Sequence, residues 1–252
     1  MATQEGIVPI KGTIGNLTFF KTASGGFRVR ARNVVSAKKV AKSRKYIRTR
    51  ENLAEFNNAA GAGSLIRKAF APITAKAKDG KAFGRLVGEL RKVVVSDGTS
   101  DRGQRNVADG NAALLTGFEF NGSTSLSTTL MAPYTAVLDR VTGNASIDVP
   151  AFVPEDLAEL PEGGTHFRLF MGVAAIDFAA NTFEVDTAES IDLVYGNTAT
   201  PAISLKANIT ANSPDPLFLA FGIAYMQQIN GKIYSLNNGS FNACSLVKVE
   251  MV

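Results

Sequence analysis

Ten cations lie between Arg28 and Arg50 with no acid among them: Arg28, Arg30, Arg32, Lys38, Lys39, Lys42, Arg44, Lys45, Arg48 and Arg50. Cations at this density recognise anions, either a phosphodiester backbone or the carboxylates of an acidic protein surface. Only Phe27 and Tyr46 accompany them as rings for base stacking, and no recognised DNA- or RNA-binding motif is present. Glu155, Asp156, Glu159 and Glu162 form the opposite feature, the acidic loop PEDLAELPEGG. It lacks the Asp/Asn spacing and central Gly of an EF-hand loop. It reads as a solvated surface that can dock a basic segment.

The residues that carry most enzyme chemistry are scarce. His166 is the one histidine and Cys244 the one cysteine. A Ser-His-Asp site, a Cys-His site or a two-histidine metal site needs His166 in combination with partners. It opens an apolar strand pattern, GGTHFRLF, where a histidine satisfied by backbone is expected. Cys244, in NACSLV, reads as a small core residue, and a lone cysteine excludes an internal disulfide. Gly80–Gly88, GKAFGRLVG, lacks the G-K-[ST] ending of a phosphate-binding loop. The expectation is a chain with no catalytic residues, no cofactor and no bound metal. Sequons such as Asn208-Ile209-Thr210 carry little weight without a secretory leader.

The elements that position the cations are strands first. Gly15–Lys21 (GNLTFFK) and Gly26–Arg32 (GFRVRAR) read as a hairpin, with turn residues Ala23-Ser24-Gly25-Gly26 between them. The period of two puts Arg28, Arg30 and Arg32 on one face. Phe19, Phe20 and Phe27 supply the hairpin's contact area. Gly6–Ile10 is a short edge piece held there by Pro9. A two-stranded ribbon is marginal alone, so it must pack on its own domain or on another chain. Val34–Arg48, with irregularly spaced apolar residues, reads as an arm that takes shape on a partner. Thr49 is the expected N-cap of a helix written by Leu53, Phe56, Ala60, Gly63, Ile66 and Phe70. Phe83, Leu86, Val87, Leu90 and Val94 write a second helix, antiparallel to the first.

Ser96–Asn111 reads as a linker. Beyond it the pattern is β, with strands at Leu114–Phe120, Tyr134–Arg140, Ala145–Val149, Phe167–Asp177, Ala202–Ile209, Leu217–Gln228 and Ser245–Val252. Shorter ones are expected at Ser127–Met131 and Ile191–Tyr195. Asn230-Gly231, between MQQI and KIYSL, is a type I′ hairpin signal. The fold class is therefore α+β. Residues 1–48 are a hairpin and basic arm, 49–95 a helical pair, 96–111 a linker, and 112–252 an antiparallel β-sandwich of the immunoglobulin or fibronectin type III kind. The Cys…Trp…Cys mark of true immunoglobulin domains is missing, since the chain has no Trp. No internal repeat is evident.

The run KGTIGNLTFFKTASGGFRVRARN and the later YIRTRENLAEFNNAAGAGSLIRKAF resemble the opening of uncharacterised proteins frequent in Bacteroidota genomes and in phage-like gene sets. Those proteins open with a G-x-x-G-N-x-x-x-Y/F hairpin, an Arg-containing strand and a T-x-x-x-x-x-x-F helix. GFEFN, MAPYTAVLDR, FVPEDLAELPEGGTHFRL and QQINGKIYSL are similar to later parts of full-length members. The resemblance implies the two-part architecture. The group has no assigned activity to carry onto residues here.

The totals bound the function. With 252 residues, 45% of them hydrophobic, and a mean hydropathy of +0.06, the chain can bury a core. Its longest apolar runs fall short of a membrane helix, and no Sec-type leader is visible at the N-terminus. A chain cytoplasmic as made, released if at all as an assembly, is expected. Net charge is +5, yet residues 1–105 carry 22 Lys/Arg against 7 Asp/Glu and residues 106–252 carry 5 against 15. The split predicts either a polyanion partner or a head-to-tail contact between copies. Self-association is the preferred expectation, through the basic hairpin and arm. Nucleic-acid binding by Arg28–Arg50 is the alternative.

Overall fold

A computed structural model describes residues 2–4, 10–32, 35–77 and 79–251. Most of the expected edge piece Gly6–Ile10 lies outside the described residues. The chain divides into two compact units, Met1–Arg50 and Glu51–Val252.

The first unit is a four-stranded antiparallel sheet followed by a short helix. Strands β1 (Ala2–Thr3), β2 (Gly12–Ile14), β3 (Leu17–Lys21) and β4 (Phe27–Ala31) lie in the order β1-β4-β3-β2. The β3–β4 turn closes on Thr22, whose N–H donates to Gly26 O at 2.7 Å and whose hydroxyl oxygen accepts from Gly26 N–H at 3.1 Å. Gly25 takes φ +87° there, a value that L side chains resist.

The basic stretch after the sheet is helical rather than an unshaped arm. Helix α1 (Ala37–Lys42) is capped by Ser36, whose side chain accepts from Lys39 N–H, and has Lys39 and Lys42 in its last turn. Ala and Lys are good helix formers and late cations suit the helix dipole. The pattern was invisible as a helix because α1 buries no residue, so no apolar face is written. Ser43 then starts a 3-10 turn at Arg44–Tyr46 that runs straight into α2 (Ile47–Ala69). Thr49 is therefore inside the helix rather than its N-cap. Arg50 fixes the junction by donating to Val40 O at 2.9 Å and Ser43 O at 3.0 Å.

The second unit is built on two long antiparallel strands, β7 (His166–Asp177) and β11 (Leu217–Ile229), paired from Leu217–Ala175 to Met226–His166. Its other elements are α3 (Ala71–Thr74), α4 (Ala82–Ser96), α5 (Leu126–Thr129), β5 (Thr135–Asp139), β6 (Asn144–Val149), α6 (Pro154–Leu157), β8 (Thr182–Glu189), β9 (Leu193–Val194), β10 (Ile203–Asn208), β12 (Lys232–Ser235) and β13 (Ala243–Glu250). Strands β8 and β9 extend the long sheet beside β7, and β12 and β13 extend it beside β11. Strands β10, β6 and β5 form a second antiparallel sheet.

Alternation along β7 and β11 feeds two cores. Phe170, Ala174, Phe218 and Ala220 pack with Ile66, Phe70, Leu90 and Val94 of the helices. Leu169, Met171, Val173, Leu219, Phe221 and Tyr225 pack with Ile147, Leu205 and Ala207 of the second sheet. The helices of residues 47–96 thus share a core with the sheet instead of forming a separate pair, because the long sheet is apolar on both faces and needs two covers. The expected linker Ser96–Asn111 is fastened down for the same reason: Val107 is buried against the helices. Gly103 N–H donates to Glu55 at 2.9 Å and Val107 N–H to Asn58 at 2.9 Å. That contact turns Glu55 inward and leaves Leu53 and Phe56, expected on the buried face of α2, exposed.

The expected strands Tyr134–Arg140, Ala145–Val149, Phe167–Asp177, Ala202–Ile209 and Leu217–Gln228 fall on β5, β6, β7, β10 and β11 within two residues. Asn230 and Gly231 turn with φ +49° and +80°, as a type I′ hairpin requires. Leu114–Phe120 differs: a 3-10 turn covers Ala112–Leu115. The following residues add to β13 through Gly117 N–H to Leu246 O (2.7 Å) and Phe120 N–H to Cys244 O (2.8 Å). Ser127–Met131 is mostly the helical turn α5, where Thr129 folds its hydroxyl back onto Ser125 O at 2.7 Å.

Glycine lets neighbouring strands of the long sheet close. A Cβ at Gly222 would stand 2.4 Å from the ring of its cross-strand neighbour Phe170 and 2.5 Å from Ala243 O. Gly222→Val should lower stability by about 1–3 kcal/mol or more, read as a shifted urea midpoint. Asp97 gives a pH signature. Its buried carboxylate accepts from Ser100 N–H, Thr99 N–H, the Thr99 hydroxyl and Asn106 N–H, and the Ser100 bond leads in holding its pKa below the usual range. A depressed folded-state pKa stabilises the fold above the unfolded value, near about 4, and that contribution fades as pH falls. Asp97→Asn should therefore melt earlier than wild type at pH 7, with the difference in Tm closing in acid.

Candidate functional site

Strand register in the N-terminal sheet sorts its residues onto two chemically different faces. Ala2 pairs with Val29, Phe19 with both Val29 and Gly12, Leu17 with Ala31 and Ile14, and Lys21 with Phe27. This face is apolar, with Lys21 Nζ lying 5.7 Å from the Phe27 ring centre. On the other face Thr3 pairs with Arg28, Phe20 with Arg28, and Thr18 with Arg30 and Thr13. Here the Arg30 guanidinium lies over Phe20 at 5.2 Å. Phe19 and Phe27 therefore belong to one surface, and Phe20 with Arg28 and Arg30 to the other. Alternation within each strand separates these residues, and cross-strand pairing shows which of them share a face.

Among the described residues of the first unit none is buried, and Ile14 and Leu17 are 60% and 45% exposed. Sheets of this size hold together in water when an apolar face is covered. The cations are equally uncovered. Arg28, Arg30, Arg32, Lys38, Lys39, Lys42, Arg44 and Lys45 are exposed. Among the described residues, none of these eight forms an ion pair with a carboxylate. Arg48 is exposed and Tyr46 half-buried, while Arg50 is spent on the α1–α2 junction. Sequence reasoning counted Arg50 with the contact residues; its role here is to hold the chain's own carbonyls.

In the second unit Glu155 and Asp156 sit on α6, Glu159 follows it, and Glu162 precedes Gly163, which turns with φ +83°. All four side chains are exposed, and among the described residues none meets a cation. The backbone beneath them is fixed: Glu159 N–H donates to Thr129 O at 3.0 Å and Met131 N–H to Leu157 O at 2.8 Å. Their field reaches inward. Burial first, then Glu155 and Asp156, raises the Tyr195 phenol pKa, and burial with Glu159 raises that of Tyr225. A rigid, uncompensated negative patch is thus present.

The residues of classical enzyme chemistry are kept apart. His166 opens β7 across from Met226, with Nδ1 2.9 Å from Thr165 Oγ1. Cys244 lies across from Gly222 and is fully buried, and burial pushes its thiol pKa up. Their partners are four positions apart on β11, roughly 13 Å along a strand. Among the described residues no three His, Cys, Asp or Glu side chains gather as metal ligands.

Two of the second unit's cavities lie beside charged side chains. One, of about 680 Å³, lies among Arg67, Asp79, Phe83, Leu86 and Phe120. Its carboxylate is already engaged, since Asp79 accepts from Arg85 at 2.6 Å, Lys81 N–H at 2.7 Å and Gly122 N–H at 3.1 Å. The other, of about 470 Å³, adjoins a closed charge chain. Lys76 meets Glu189 at 3.0 Å, and Arg168 meets Glu189 at 2.9 Å and Asp192 at 2.6 Å. The two cations and two acids balance, so the chain fastens the residues after α3 to β7 without leaving a free charge. No helix among the described residues is long and apolar enough to cross a membrane.

No family model, no curated protein and no solved structure matches this chain.

Proposed function

We propose that this chain is a non-enzymatic structural subunit that assembles with copies of itself into a filament, tube or shell. The observation that carries the reading is the apolar face of the N-terminal sheet, Ile14, Leu17, Phe19, Phe27 and Val29, which has no buried residue behind it. Such a face is completed by a second molecule. The occupant is another copy, on grounds of charge. Residues 1–50 hold 12 Lys/Arg and 1 Asp/Glu, and residues 51–252 hold 15 and 21. The basic unit of one copy meets the patch Glu155, Asp156, Glu159 and Glu162 of the next, and complementary charge sets the orientation and speeds the encounter.

Such a contact joins two different surfaces, so it propagates into a ring or an open helix rather than closing as a pair. Strand β12 offers a second means of attachment. All four of its residues are exposed, and among the described strands it pairs only with β11. A neighbour's strand can add to that edge. We read the two sheets of the second unit as an immunoglobulin- or fibronectin-like sandwich that displays these surfaces. The resemblance to proteins of phage-like gene sets fits a virion component.

The test uses full-length chains. Leu17→Asp, Phe19→Asp and Val29→Asp together should raise the concentration needed for assembly at least about a hundredfold, measured by sedimentation velocity and negative-stain microscopy. Assembly by this variant at the wild-type concentration would falsify the reading. Reversing the acidic patch with Glu155→Lys, Asp156→Lys, Glu159→Lys and Glu162→Lys should slow assembly, most of all at low salt. Unchanged assembly kinetics there would remove the acidic patch as the receiving surface.

A further inference from the structure

We infer that the arginine face of the N-terminal sheet binds the phosphodiester backbone of single-stranded nucleic acid. This face is the reverse of the apolar face that carries the assembly reading. Register brings Thr3, Thr13, Thr18, Phe20, Arg28 and Arg30 to it. Arg32 continues the alternation just past β4, its N–H donating to Asn16 O at 2.6 Å.

Alternate positions on a strand lie roughly 6.6 Å apart. The three guanidiniums therefore stand in a row whose spacing suits successive phosphates of an extended strand. All three are exposed, and among the described residues none is paired with a carboxylate. Guanidinium groups bind phosphate oxygens two at a time. Thr13 and Thr18, their hydroxyls 3.3 Å apart, add neutral donors beside the row. Phe20, with Arg30 over its ring at 5.2 Å, adds a flat surface. Unpaired bases stack on aromatic rings and on guanidinium planes.

Two features select a single strand over a duplex. Among the described residues this face is an open sheet with no helix or ribbon projecting from it to enter a major groove. Its ring is useful only to a base that is free to leave a stack. An acidic protein surface would neutralise the arginines but would leave Phe20 without a role. The cations of α1 in the same unit, Lys38, Lys39 and Lys42, add to the attractive field.

The experiment is a fluorescence-anisotropy titration of the full-length protein with labelled oligodeoxythymidylate and with a duplex of equal length, over a range of salt. Wild type should prefer the single strand. Arg28→Ser, Arg30→Ser and Arg32→Ser together should weaken binding and reduce the slope of log K against log salt by about 2, at about 0.7 per neutralised phosphate. Phe20→Ala should weaken binding about tenfold with the slope unchanged. Replacing the same arginines by Lys should restore most of the slope, which separates lost charge from misfolding. No binding at low salt, equal binding by the triple Ser variant, or preference for the duplex would overturn the proposal. A triple Ser variant altered only in its sedimentation profile would also overturn it, by showing that these arginines serve the acidic patch of a second copy.

Discussion

The second unit depends on one constraint: β7 and β11 are buried on both faces. Ten consecutive pairs join them, from Leu217–Ala175 to Met226–His166, and almost every side chain between is apolar. Antiparallel sheets commonly keep one face for solvent. This one cannot, so the chain has to supply two covers. Helices α2, α3 and α4 supply one, and the sheet of β5, β6 and β10 supplies the other. The close approach this demands appears where side chains are missing. Phe170 crosses the bare backbone of Gly222, and Ile73 of α3 reaches Gly172.

Covering a sheet twice also buries polar groups, and the chain satisfies them with a few multi-contact side chains. Asn121 donates to Ser240 O and Asn242 O at 2.9 Å each. Asn242 in turn donates to Lys76 O at 2.7 Å and accepts from Tyr225 N–H at 2.8 Å. Arg140 spreads its guanidinium over the carbonyls of Ser213, Asp215, Glu250 and Met251. Each of these groups joins segments far apart in sequence, and leaving one partner unsatisfied would cost about 1–3 kcal/mol. The N-terminal unit is the reverse case: among its described residues Arg28, Arg30, Arg32, Lys38, Lys39, Lys42, Arg44 and Lys45 form no ion pair with a carboxylate.

Legibility in the sequence follows from this contrast. The long strands were readable because a continuous apolar run with a turn signal at each end has few other solutions. The Asn230-Gly231 hairpin was readable because two consecutive positive φ angles admit few residue pairs. The alternation of arginines in β4 was readable because side-chain direction in a strand has a period of two. What could not be read was set by distant partners. Ser96–Asn111 has linker composition, yet Glu55 and Asn58 on α2 accept its N–H groups. Strand β8 is rich in Thr, Glu and Asp because its outward residues meet water and the N–H groups of Asn208 and Thr210. Phe19 and Phe20 look alike in the sequence; the strand period sends them to opposite faces, and pairing with β4 decides that Phe20 is the one beside Arg28.

That last separation bears most on function. A sheet with one apolar and one cationic face sets two opposed demands, burial on one side and charge compensation on the other. Burying the arginine face against apolar groups would strand charge in a medium where each unpaired ion costs several kcal/mol. Leaving the apolar face in water forgoes the burial that makes small sheets stable. Both penalties are relieved together only when each side meets a different surface, one apolar and one anionic. The proposed assembly of copies around a polyanion would supply both surfaces at once. Residues 51–252 hold two cores of their own, and among the described residues of the first unit none is buried. Under the proposed assembly, the sheet of the smaller unit would gain its stability from what it joins.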